Sequence, residues 1–264
     1  MGLRALLGWE FRNLVRFPLL ELLVFIAVYL SMITAAGGTG MGMTAQSEWS
    51  MYPSGIAETI MRHSLNKVES LYLATIFTIT VFASVGIARE VEAGYVKVAL
   101  SAPIRRRDLF LVKFASCFLT GLAIFAFALF SAMFLRNWPS ALYIVSYPPT
   151  LLMFFVLLLV QTFYVAGVAT AMAVFSKSTA ASFIGSIGIM YVPVYMAQTV
   201  AGLSIPFIPP QSTRLFAFYI ASSRVFWKQY DLLTLMEATA IPVLIASVLL
   251  LASFVYFTRR FDLS

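Results

Sequence analysis

The sequence predicts an all-α integral membrane protein with six transmembrane helices, and three observations predict it. Of 264 residues, 61% are hydrophobic and only 11% charged, where a soluble domain carries roughly 25% charged residues. The mean hydropathy is +0.91, more apolar surface than a water-soluble fold of this size can hide. Six apolar runs each have at least the roughly 17 residues with which a helix rising ~1.5 Å per residue can cross a ~30 Å hydrocarbon core.

Leu3, Leu7, Phe11 and Leu14 recur at helical spacing, with Glu10, Arg12, Asn13 and Arg16 mostly on other faces. Residues 1–17 therefore read as a helix lying in the membrane interface. The competing reading is the basic flank of a signal peptide, since Thr34, Ala35 and Ala36 put small residues at the end of the first apolar run. The six runs are Pro18 to Ala36, Leu71 to Ile87, Leu109 to Phe134, Leu151 to Phe175, Ala180 to Val200 and Ile241 to Phe257. Two longer connections, Gly37 to Ser70 and Ala201 to Ala240, are broken by Gly, Ser, Pro and isolated charges. Inside the second, Leu215 to Ala221 is apolar but too short to span, which suits a re-entrant or interfacial helix.

Lys and Arg near the spans stay on the cytoplasmic side. With six spans the 18 basic residues divide 12 against 6. The richer side holds both termini and the connection between the second and third spans, so both termini are expected in the cytoplasm. The net charge of +7 then suits anionic headgroups. Cys117 is the single cysteine, so one copy of the chain can build neither a disulfide nor a Cys-based metal site.

The stretch 88–108 concentrates charge: Arg89, Glu90, Glu92, Lys97, Arg105, Arg106, Arg107 and Asp108, running on to Lys113. Val96, Ala99 and Leu100 share a helical face, Pro103 restricts what precedes it, and Asp108 is placed to cap the third span. A short amphipathic helix below the membrane, charged for a specific partner, fits this pattern. So does a loop whose Arg105, Arg106, Arg107 and Lys113 simply hold anionic lipid.

Glu92, then Gly94, an apolar stretch to Leu100, Ser101-Ala102-Pro103, the basic run, Asp108-Leu109 and Lys113 resemble the loop after the second span in membrane subunits of ATP-binding-cassette exporters of the type-2 permease family. The N-terminal helix, the six spans, the outer connection before the last span and the ending Arg259-Arg260-Phe261-Asp262-Leu263 are similar to that family as well. The resemblance covers most of the chain and implies one permease domain over 1–264, pairing with a second copy or a related permease in the plasma membrane. It implies that 88–108 couples to cytoplasmic ATPase subunits through Glu92, Gly94, Pro103, Arg105, Arg106, Arg107 and Asp108. It further implies that 201–240 holds an outer re-entrant hairpin and that the second and fifth spans line the pathway, with Thr78, Phe82, Tyr191, Tyr195 and Gln198 as candidate lining residues. Ala93 and Tyr95 flank Gly94 where the family often shows a more polar neighbourhood.

The sequence contains no Gly-x-x-x-x-Gly-Lys-Ser/Thr phosphate loop. No cofactor is expected in this chain; ATP and Mg belong to the partner ATPase, and the chain is expected to be a transport subunit, not an enzyme. Gly38 to Gly42 lacks the strand and helix that dinucleotide binding requires and reads as an outer turn. Met41, Met43, Met51, Met61 and His63 are the one set that would suit a soft cation such as Cu(I), against the ordinary use of methionine as an apolar filler. A single histidine serves neither a serine nor a metal-dependent intramembrane protease well.

Within the spans Glu21, Gln161 and Gln198 are costly to bury without partners. Gln198, with Tyr191, Tyr195 and the backbone-loosening Pro193, fits either a pathway or helix-to-helix hydrogen bonding near an aromatic belt. Gly167 with Ala171, and Ala181 with Gly185, have the spacing that lets helices approach closely. Two other classes share the membrane architecture: a gradient-driven secondary transporter, which wants paired intramembrane carboxylates, and a membrane assembly protein that transports nothing. For both, nucleotide is irrelevant.

Overall fold

Hydrogen bonding of the backbone within each segment is the only economical way to cross hydrocarbon, and every element is a helix in the residues that our computed structural model describes: 3–14, 19–36, 74–96, 104–136, 148–199 and 232–259. In chain order they are α1 (Leu3–Leu14), α2 (Leu19–Ala36), α3 (Ala74–Glu92), α4 (Arg106–Arg136), α5 (Pro148–Ser176), α6 (Thr179–Thr199) and α7 (Leu232–Arg259). Among the described residues, α3, α4, α5 and α7 are long and apolar enough to cross a membrane, and Leu20–Tyr29 of α2 and Thr179–Tyr191 of α6 form further apolar helical stretches. The chain is thus a multi-pass membrane protein that is helical among its described residues. The connections 37–70 and 201–231, with the proposed re-entrant segment, Pro103, and the Met41 to His63 set, lie outside the described residues.

α5 packs against α7, α6 and α4, while α2 and α1 both pack on α4. Phe82, Ile79, Leu109, Phe257, Leu23 and Met190 are fully buried at the core of this bundle. Its outer faces are apolar: Leu22, Phe25 and Tyr29 on α2, and Leu244, Val248, Leu251 and Val255 on α7, are exposed. Thr80, Thr162, Thr170, Ser182, Ser186 and Ser253 are instead buried. Apolar outside with hydroxyls inside is the arrangement that a lipid solvent imposes.

The structure departs from the sequence-based expectation in three places. α7 begins at Leu232, so that 232–240 of what the sequence suggests is an outer connection are helical. The sequence-based run opens at Ile241 because Thr234, Glu237 and Thr239 interrupt the apolar pattern before it, but isolated polar residues do not stop a helix: α7 runs through them and through the buried Pro242, whose freed carbonyl neighbouring helices can accommodate. In α1 it is Leu6 and Glu10 that are buried, while Trp9 is exposed, because the helix docks on α4 along that edge. Finally, α4 starts at Arg106, and the Arg105 carbonyl accepts the N–H groups of Asp108 and Leu109 at 3.0 and 3.1 Å. Arg105 is therefore the capping position, and Asp108 sits in the first turn, where the helix dipole favours a carboxylate.

Candidate functional site

A cluster of charged and polar side chains gathers at the end of the bundle where α3 stops and α4 and α6 start. α3 carries a π-helical turn over Ser84–Ala88, a form rare in proteins and concentrated at functional positions. It then continues through Arg89–Glu92 and ends on Ala93 and Gly94, with Ala93 N–H donating to Arg89 at 2.8 Å and Gly94 N–H to Val91 at 3.1 Å. Gly94 has φ of +74°, a left-handed helix stop of the kind glycine makes most cheaply. A Cβ there would meet nothing within 4 Å, so Gly94→Ala should cost only the conformational penalty, about 1 kcal/mol. Thermal unfolding in detergent would register it as a small fall in Tm with assembly intact.

Beneath the π turn sits Lys113, four residues into the apolar run of the third span. Its ammonium donates to Glu10 Oε1 at 2.7 Å, to Glu90 Oε2 at 2.8 Å and to the Gly86 carbonyl at 2.9 Å. Lys113 and Glu10 are almost fully buried, and Glu90 is partly so. All three ammonium donors are thereby used. One side chain of α4 joins α1, the π turn of α3 and the end of α3. Burial, outweighing the attraction of Lys113 and aided by the nearby Glu90, raises the Glu10 carboxyl above the ordinary carboxylate value.

Glu92 faces the other way. Its Oε2 accepts the Thr179 backbone N–H at 2.9 Å and the Thr179 hydroxyl at 2.6 Å. Thr179 is the first residue of α6, whose exposed N–H groups and dipole favour a carboxylate. A second contact between the same helices, Ser84 Oγ donating to Ser182 Oγ at 3.1 Å, lies one level deeper. Phe77 and Phe183 meet edge-on above it at 5.8 Å. α5 enters α6 through Lys177 and Ser178, with Lys177 at φ of +53° and its ammonium 6.0 Å from the centre of the Tyr256 ring.

Of the coupling residues expected from sequence, the structure brings Glu92 and Gly94 to this end of the bundle together with Arg105, Arg106, Arg107 and Asp108. The three arginines are exposed, and Arg107 Nε lies 3.5 Å from Asp108 Oδ1. Of the candidate lining residues, Phe82 is fully buried. Thr78 is buried with its hydroxyl unpartnered among the described residues, beside a cavity between α2, α3 and α4 lined by Ala27, Thr75, Gly121 and Phe125. Tyr191 is exposed on α6, and Tyr195 and Gln198 lie on its next turns. Gln161 is buried and its Oε1 has no partner among the described residues, whereas Glu21 is exposed in the first turn of α2.

Glu10, Glu90, Lys113 and Thr179 were not legible as a set. The one available signal was a lysine inside an apolar run, which in a membrane protein requires a partner; counted with Arg105 to Arg107 as a headgroup anchor, Lys113 loses that meaning. Among the described residues no group of three or more His, Cys, Asp or Glu side chains could hold a metal.

A family model described as ABC-2 family transporter protein matches residues 4–262. Searches of curated proteins and of solved structures find no match for the chain.

Proposed function

The chain belongs to the ABC-2 family of transporter proteins, and from that we propose that it is the six-span permease subunit of an ATP-driven exporter. In this reading it works as a dimer with a second copy or a related permease in the plasma membrane, both termini in the cytoplasm. The segment from Glu92 to Asp108 seats on a separate ATPase that binds ATP and Mg. Hydrolysis there moves the second and fifth spans, between which the cargo passes by alternating access.

The observation that carries the proposal is the match over 4–262. The geometry supports the coupling step in particular. Glu92, at the start of that segment, is hydrogen-bonded to Thr179 at the start of α6, and Arg105, Arg106 and Arg107 near its other end are exposed. A push that reaches Glu92 has a short, hydrogen-bonded route into the fifth span. Charged side chains that remain exposed beside such a route suit a protein partner of opposite charge.

Affinity purification from the native membrane in mild detergent tests this. Wild type is expected to bring down an ATPase, and a variant carrying Arg105→Glu and Arg106→Glu should lose at least tenfold of it while keeping its own oligomeric state. Intact assembly with no ATPase in wild type would overturn the exporter reading and favour a gradient-driven carrier.

A further inference from the structure

We propose that Lys113 is a positioning residue that, with Glu10 and Glu90, locks α1, the π turn of α3 and the start of α4 into one rigid unit that travels with the coupling segment. Three observations converge on it. The ammonium is shared by two carboxylates from different helices and by the carbonyl of Gly86 within the π turn. Lys113 and Glu10 are withdrawn from solvent, so their attraction is screened far less than that of a surface pair. Glu90 lies two residues before Glu92 in the same helical segment, so whatever moves Glu92 also moves Glu90 and, through Lys113, carries α1 and the start of α4 with it.

The consequence is a division of the end of α3 into two arms. Glu92 reaches α6, and Glu90 reaches α1 by way of Lys113. The N-terminal helix, which shows Trp9, Arg12 and Asn13 to its surroundings, then moves with the bundle and is not a passive float. The π turn, whose Gly86 carbonyl is held by Lys113 and whose Ser84 touches Ser182, is fixed from both sides.

The test uses the full chain in nanodiscs together with the ATPase that copurifies, and rests on the exporter reading only in its nucleotide arm. Spin labels at Ala5→Cys and Leu111→Cys, both exposed positions, report the distance from α1 to α4; a second pair, Ala5→Cys and Leu244→Cys, reports α1 against α7. The neutral variant combining Glu10→Met, Glu90→Gln and Lys113→Met avoids an unpaired buried charge and serves as the unlocked form.

The first pair should give one narrow distance distribution that Mg-ATP with vanadate leaves unchanged, and the neutral variant should at least double its width. Nucleotide should shift the second pair in wild type, and the neutral variant should lose more than half of that shift. A narrow first-pair distribution in the neutral variant, or a wild-type first pair that changes with nucleotide, would overturn the lock. Absence of any copurifying ATPase would instead remove the exporter reading and leave the first-pair comparison decisive for the lock.

Discussion

Lys113→Met is expected to destabilise the protein by roughly 3–5 kcal/mol, because it strands two carboxylates that the ammonium now neutralises, one of them fully buried. The desolvation already suffered by Glu10 is no longer offset, and the Gly86 carbonyl loses its donor. Removing all three charges together should cost far less than removing the lysine alone, since a buried ion pair exchanged for neutral side chains of similar size is often nearly neutral in stability. Thermal unfolding of the purified protein, comparing Lys113→Met with the triple neutral variant, checks this. Equal losses in both would show that the charges are not the reason for the cost.

The same cluster has a pH signature of definite sign. A carboxyl whose folded pKa is raised binds its proton more tightly when folded, so its contribution to stability is full below the ordinary value of 4.5 and fades as pH rises through the raised one. Wild type should therefore gain stability relative to Glu10→Gln on acidification from neutral pH toward 4.5. A difference that is flat, or of opposite slope, would mean that Lys113 outweighs burial at Glu10.

The second large effect is steric. A Cβ at Gly167 of α5 would lie 3.0 Å from the Cβ of Ala246 on α7, 3.3 Å from its Cα and 3.4 Å from its carbonyl oxygen. Two of those atoms belong to the backbone and have no rotamer to escape into, and Ala246 is fully buried. Gly167→Leu should force α5 and α7 apart and cost roughly 3 kcal/mol, at the upper end of overpacking effects. Gly188→Ala on α6, where a Cβ meets nothing within 4 Å, is the matched control and should leave Tm nearly unchanged. The small-residue spacing of Gly167 and Ala171 thus marks a seam within the chain. Gly185 of α6 lies against the Met172 side chain of α5, which also places this glycine on a contact inside one copy.

The helices were legible because hydrophobic length is a one-dimensional property: a run of about 20 apolar residues has one comfortable place to be. Hence the runs starting at Pro18, Leu151 and Ala180 correspond closely to α2, α5 and α6. The exception at Leu232–Ala240 is a place where isolated polar residues, Thr234, Glu237 and Thr239, end the apolar run without ending the helix. Likewise the charge of 88–108 announced a site, while the direction of its individual side chains did not follow from spacing. Glu92 turned out to hold the start of α6, and Asp108 to follow a cap made by Arg105.

What the amino-acid sequence determined by itself is the membrane, the helical class and the position of the charged segment 88–108, since composition and periodicity act residue by residue along the chain. What only the tertiary structure decided is which partner each charged side chain takes. Glu10 and Lys113 are 103 positions apart and Glu92 and Thr179 are 87 apart, and either pair depends on helices meeting at one depth and one rotation. Partner choice among buried charges is fixed by packing, because the desolvation cost is met only where a specific neighbour lies within hydrogen-bond reach.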